Sequence, residues 1–375
     1  MARDWRTEKT FWGKRYTYDQ WMESIGIPVY RGYYLEDLRT LELGWWEERQ
    51  CRAAFFQLVG QEGIVSSLVT EIPPGQTLPP LKFALDEIVY VVEGRGLTTI
   101  WAGEGRPKKT FEWQKFGMFL LPHNYWRQFS NMRGDQPVRL LHYNYLPIVL
   151  SGVRDPDFLF NNPYQTPDYL AQQEGDFYAE AKEVAVDAEP GLMATRWSGN
   201  FFPDMRAWDK MESNARRGAG GKTVEIQFTN SEMFAHMSVF AARTYKKAHR
   251  HGPGRVIVIP AGEGYSIIWE EGKEKVVVPW HEGSAVVPPP KWFHQHFNLG
   301  TEPARYLALH SSFQFHGHAE KVQDRAKDQI EYPDEDPWIR QKFEEELAKR
   351  GMTSLMPDEA YKNKNYEWSK EMGKK

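Results

Sequence analysis

Two stretches of this chain, offset by 168 residues, follow one pattern. The first reads GQTLPPLKFALDEIVYVVEG (75–94) and the second RTYKKAHRHGPGRVIVIPAG (243–262). Laid over each other, Leu81 matches His249, Phe83 matches His251, Glu87 matches Arg255 and Gly94 matches Gly262. A second block follows each: GMFLLPHNYWRQFSN (117–131) and GSAVVPPPKWFHQHFN (283–298). Self-similarity at a fixed offset is the mark of a duplicated structural unit. The chain is therefore expected to build one unit twice.

The unit is rich in strands. The first copy holds GIVSSLVTEI (63–72), EIVYVVEG (87–94), LTTIWAG (97–103), GMFLLP (117–122) and VRLLHYNYL (138–146). The second holds EIQFTN (225–230), HMSVFAAR (236–243), RVIVIPAG (255–262), YSIIWEE (265–271), KVVVPW (275–280), SAVVPP (284–289) and RYLALHSS (305–312). Short β-branched or aromatic runs separated by Gly, Pro and charged turns predict a sandwich or barrel. Outside the copies the pattern changes. Helical stretches are expected at Tyr18–Ile25, Leu35–Leu43 and Pro167–Glu174, and a mobile loop at 213–223. A charged helix is expected at Pro337–Arg350, with Asp336 as cap, Pro337 in the first turn and Gly351 at the exit.

Composition narrows the function classes. Lys plus Arg is 47 and Asp plus Glu is 51, a net charge of -4. Binding to a phosphate backbone usually needs a basic surplus, so no nucleic-acid partner is expected. No apolar run reaches about 18 residues, so no membrane span is expected. The N-terminus has no apolar core of a signal peptide. The single cysteine, Cys51, excludes an internal disulfide, and a cytoplasmic location is the default. Neither GEGRP (103–107) nor GAGGKT (218–223) has phosphate-loop spacing, and no Ser or Cys carries a nucleophile signature.

The paired blocks resemble the cupin superfamily, and specifically its two-barrel (bicupin) members. The family's first motif is G-x5-H-x-H-x3,4-E-x6-G and its second G-x5-P-x-G-x2-H-x3-N. In the C-terminal copy His249, His251, Gly262, Gly283, Pro289, His294 and Asn298 fall on those positions. Arg243, Arg255 and Lys291 depart from it, standing where the motifs have Gly, Glu and Gly. In the N-terminal copy Gly75, Glu87, Gly94 and Gly117 match, but both His positions are apolar. The resemblance implies a mainly β chain: two antiparallel jelly-roll barrels in tandem with helical N-terminal, connecting and C-terminal extensions. The implied divisions are an aromatic and helical extension (1–54), an N-terminal cupin without metal ligands (55–150) and a connector (151–224). A metal-binding C-terminal cupin (225–315) and a helical tail (316–375) follow.

His249 and His251 are two apart on an expected strand, so both side chains share one face. His294, His296 and Asn298 alternate likewise on another. Three neutral imidazoles at one point suit a first-row divalent metal, and the ligands are read as His249, His251 and His294. His296 fits three roles: a fourth ligand, a proton-handling group beside the ligands, or a buried barrel histidine. Arg255 cannot ligate a cation. Its rigid fork suits a substrate carboxylate, and the competing reading is an outward surface residue. Tyr245, Tyr265, Trp269, Trp292 and His310 are the expected substrate pocket, while His316 and His318 are expected at the barrel exit.

With no carboxylate ligand, a divalent ion keeps its full charge and open positions. Such a site favours an anionic oxygen chelate: a carboxylate with a hydroxyl, a β-diketone enolate or a catecholate. The His-only set resembles that of ring-cleaving dioxygenases such as gentisate 1,2-dioxygenase, although there the metal lies in the N-terminal barrel. That resemblance implies Fe(II), with Mn, Ni, Cu or Zn as alternatives. It also implies a dioxygenase for a small anionic aromatic or enolisable substrate. The alternatives are a non-oxidative metal enzyme (isomerase, decarboxylase or lyase) and a ligand-binding protein without activity. The amphipathic arm and tail predict a homodimer or higher homo-oligomer.

Overall fold

A computed structural model describes residues 16–172, 176–189, 192–207, 212–213, 217–312 and 327–368. His316, His318, part of the 213–223 loop and the start of the tail lie outside the described residues. The fold is mainly β, with two jelly-roll barrels in tandem. In the first, the strands Ser66–Ile72, Val138–Asn144, Glu87–Glu93 and Met118–Leu121 lie side by side in one sheet. Leu81–Lys82, Trp126–Asn131, Arg95–Trp101 and Lys109–Gln114 form the facing sheet. The second barrel repeats this order strand for strand. Phe234–Phe240, Ala304–His310, Arg255–Ala261 and Ala285–Val286 face Ala248–His249, Phe293–Asn298, Glu263–Trp269 and Val276–His281.

Local chemistry explains the matched turns. Gly94 and Gly262 each link two antiparallel strands and have φ of 94° and 101°, a region open to glycine at little cost. Arg243 and Lys291, where the motifs have glycine, also sit at positive φ, 54° and 62°. The backbone there keeps the glycine conformation although the residue has changed.

Both larger sheets are buried on two faces, which is why their strands read as continuous apolar runs. Val256, Val258, Leu307 and Leu309 point to a core shared with Val89, Val91 and Leu141 of the first barrel. The alternate residues Ile257, Ile259, Tyr306 and Ala308 point into the second barrel. The barrels thus meet sheet against sheet.

The extensions stitch this pair. Helix Thr17–Ser24 forms as expected and, with helix Leu146–Gly152, packs over the first barrel through Tyr18, Met22, Leu146 and Leu150. Leu35–Leu43 is not helical: Val29–Gly32 runs parallel to Cys51–Leu58, and Tyr34–Leu35 pairs with Ala285–Val286 of the second barrel. The connector holds the short helix Tyr169–Gln172 but is largely strand. Lys182–Glu189 pairs with Leu192–Ser198, and Phe201–Phe202 extends the first barrel beside Met118–Leu121. Tertiary pairing recruited these segments, whose sequence shows no clean alternation.

Helix Pro337–Ala348 is capped by Asp336, which accepts the Trp338 N–H at 3.0 Å. It lays Ile339, Phe343 and Leu347, one helical face, on the outer surface of the second barrel. That face of the helix is covered within the chain, while Trp45 of the arm and Trp338 of the helix stay exposed. No helix among the described residues is long and apolar enough to cross a membrane.

Candidate metal centre

The duplicated strands bring three histidines together. His249 stands directly across from His294 on the neighbouring strand, and His251 follows two residues on. One ring nitrogen from each lies within 4.8 Å of the others, the only such group among the described residues. All three are buried. Their Nδ1 atoms meet backbone carbonyls: His249 that of Lys247 at 3.3 Å, His251 that of Gly252 at 2.8 Å, and His294 that of Trp292 at 3.4 Å. A carbonyl only accepts, so each Nδ1 carries its proton and each Nε2 keeps a free lone pair. This is how a protein fixes the tautomer of a ligating imidazole. Burial holds all three well below the ordinary imidazole range, reinforced by nearby cations. They stay neutral, as ligands must. The donor set fits a divalent ion.

His296 shares the inner face but stands outside this group. Its Nδ1 lies 2.7 Å from Ser266 Oγ, which also accepts the Trp280 indole N–H at 3.1 Å. When Ser266 gives its hydroxyl proton to His296 Nδ1, the imidazole proton sits on Nε2. In that tautomer Nε2 is a donor and not a ligand. Burial, then Lys246, lowers His296 to about 3.

Arg255 faces inward. It lies opposite His310, and its charge is the first, after burial, to act on His251. Burial lowers Arg255 to about 10, partly offset by Glu225, and its Nε has no hydrogen-bond partner. His310 also faces the interior, 2.8 Å from His236 Nδ1 and stacked on Phe234. Trp292 is half-buried, with its ring 6.1 Å from Tyr33.

Three expected pocket residues are elsewhere. Tyr265 and Tyr245 stack on Phe297 at 4.5 and 4.7 Å, and Tyr245 meets Phe343 of the tail helix edge-on. Trp269 stacks on Phe293. Strand alternation is the reason: His294, His296 and Asn298 point inward, so Phe293 and Phe297 and their partners point outward. These aromatics seat the tail and do not line the metal pocket.

Sequence reasoning passed over Lys246, Tyr306, Ser238 and His236. Lys246 is fully buried, and its ammonium donates to Ser238 Oγ and, at 3.3 Å, to Tyr306 Oη. The Tyr306 ring lies 4.9 Å from that of His296, which lies 5.6 Å from that of His294. The available signal was polar residues at alternate positions of apolar strands: His236 and Ser238 on one, Tyr306 and His310 on another.

The first barrel fills the same place differently. Arg127 stands across from Leu81, where the second barrel has His294 across from His249. Its guanidinium donates to Glu87 Oε1 at 3.2 Å and lies 5.6 Å from the Phe83 ring centre. Glu87 also holds His142 at 3.0 Å and accepts from Asn144 at 3.0 Å. Burial would raise Glu87, but His142, Arg127 and Arg49 outweigh it and hold it at about 2. Cys51, nearby in sequence to this barrel, is a buried thiol pushed up to about 11 by burial.

No family model matches the chain, and no curated protein matches it. Among solved structures it is similar to variants of the oxalate decarboxylase of Bacillus subtilis. One single-substitution variant is 9% identical with a TM-score of 0.47, and another is 11% identical with a TM-score of 0.47. Each likeness covers 75% of this chain and 77% of the other. The jelly-roll assignment rests on the strand pairings themselves.

Proposed function

We propose that the C-terminal barrel holds one divalent metal through His249, His251 and His294 and is a metal-dependent enzyme for a small chelating anion. The observation behind this is the convergence of three neutral imidazoles with no carboxylate among them, flanked by cationic side chains. The cationic charges acting on the three rings are those of Arg217 and Arg255. When bound, the metal supplies Lewis-acid polarisation of a substrate oxygen, and with Fe(II) also the redox chemistry of an oxygenase. Arg255 has a fork suited to a substrate carboxylate. His296, whose ring lies 5.6 Å from that of His294, is a donor beside the ligands in the tautomer with its proton on Nε2. Tyr306 and Lys246 add groups able to hold a proton.

Two reactions follow from this frame. The oxygenase reading stays with Fe(II) and an aromatic or enolisable substrate. The non-oxidative reading, an isomerase, decarboxylase or lyase, gains from Lys246 and Tyr306, since acid–base groups beside a Lewis acid suffice for it. Equilibrium dialysis against Mn(II) and Fe(II) should give one ion per chain, and none for His294→Ala. Two ions per chain, or unchanged binding by His294→Ala, would overturn the metal assignment. A panel of hydroxycarboxylates, β-diketones and catechols, followed with and without dioxygen, separates the two reactions. Turnover that consumes dioxygen selects the oxygenase, and oxygen-independent turnover the other.

A further inference from the structure

Lys246 presents an electrostatic problem. An ammonium removed from water costs several kcal/mol unless a partner offsets it. Its hydrogen-bond partners are two neutral hydroxyls, Ser238 and Tyr306, and its nearest ring faces are those of Tyr306 at 4.9 Å and Phe240 at 5.5 Å. The charge that most affects it after Tyr306 is Arg217, another cation. Of these groups only the Tyr306 phenol can become an anion. Tyr306 is buried on the inner face of its strand, against the ring of His296.

We propose that Lys246 and Tyr306 form a proton-sharing pair that supplies the acid–base function of the His249, His251 and His294 site. The inference rests on the functional reading above and deepens it: the substrate is an anion that must gain or lose a proton beside the metal. In the delivering direction the Tyr306 O–H bond breaks and the proton goes to the substrate anion. The Lys246 N–H bond then breaks to restore the phenol, leaving a neutral amine. The reverse sequence takes a proton from substrate, so an isomerisation returns the pair to its starting state without oxidant or reductant.

The two ionisations are displaced in matching directions. Burial alone would raise Tyr306, yet Lys246, Ser238 and Arg217 outweigh it and bring the phenol below its ordinary value. Burial lowers Lys246. Displaced pairs of this kind are how buried sites keep protons exchangeable near neutrality. By contrast the other buried tyrosines, Tyr18, Tyr90, Tyr143, Tyr178 and Tyr332 among them, are all raised by burial.

Tyrosinate absorbance read against pH tests this without a known substrate. The full chain should show one early step, worth one of its 18 tyrosines. Tyr306→Phe should abolish that step. Lys246→Met should move it up by about 1–3 pH units, the usual effect of an opposite charge at contact, while Lys246→Arg should leave it low. Mn(II) should move the step further down, because a dication in the same interior favours the phenolate. Circular dichroism checks that each variant is folded. An early step that survives Tyr306→Phe, or that ignores bound Mn(II), overturns the pair as a group of the site. If dialysis shows no Mn(II) binding at all, the functional reading fails, and the pair's link to a metal fails with it. An absent early step with Mn(II) bound sinks the pair alone.

Discussion

At the scale of single residues, two positions show how the two barrels differ. The slot that carries His294 in one barrel carries Arg127 in the other, and the slot of Arg255 carries Glu87. The first barrel thus carries the motif's carboxylate, with a guanidinium of its own in the slot of the third histidine. Arg127 is 1% exposed, so its loss strands a buried carboxylate. Arg127→Met should destabilise the chain by about 3–5 kcal/mol, the usual result of breaking a buried pair. Arg127→Met with Glu87→Met should cost clearly less than the two single changes added together, because they share one interaction. Urea denaturation of the three variants checks this, and additive losses would show that the two groups act independently. His294, His249 and His251 were legible in the sequence because motif spacing and strand alternation agree on them. Arg127 was not, because one residue of register decides between Arg127 and Gln128, and only the pairing with Leu81 resolves it. Tyr306 and Lys246 were missed because neither stands in a motif. Their roles come from strands that meet across the barrel.

At the scale of elements, the tail is fastened by one titrating contact. Glu335 accepts from Tyr245 Oη and, at 3.1 Å, from Gln295 Nε2, both on the outer face of the second barrel. Burial raises its carboxyl to about 7; the bonds from Tyr245 and Gln295 and the charge of Arg340 oppose the rise, while Asp336 adds to it. Tyr361 and Tyr332 face the same spot, and burial keeps both neutral there. A carboxyl raised in the folded chain stabilises it fully below the unfolded value, near 4.5, and that stabilisation is lost as pH rises through about 7. The seat of the tail should therefore be tighter at pH 5 than at pH 8, by about 2 kcal/mol. Glu335→Gln stays neutral and should flatten the difference. Limited proteolysis of the tail at the two pH values reads it directly, and equal cleavage in the parent chain would dismiss the contact as a titrating one. The helix itself was legible: Asp336, Pro337 and the exit at Gly351 mark its ends without help from packing. The aromatics beneath it were misread as pocket because composition names a buried ring but not which face of a sheet buries it. Only the inward histidines settle that.

At the scale of the whole molecule, the barrels are not separable in the way that a duplicated sequence suggests. The arm places Val29–Gly32 in the first barrel and Tyr34–Leu35 in the second, and Phe201–Phe202 of the connector returns to the first. A fragment beginning at 217 therefore leaves the Ala285–Val286 edge without its partner strand, and open edges pair with other chains. Such a fragment should aggregate when produced alone and stay in solution when produced with residues 1–216. Sedimentation of the two preparations decides it, and a fragment that is monomeric alone would make the arm dispensable. The sequence reading divided the chain at 54 and 224 because repeats mark what was copied, not what is later shared between the copies. The same crossing strand sets a schedule for the ribosome. Leu35 and Ala285 pair across 250 residues of chain, and synthesis at roughly 5–20 residues per second opens a gap of about 12–50 s between them. For that interval the first-made strand has no mate, and the nascent chain must hold it in reserve until the second barrel emerges.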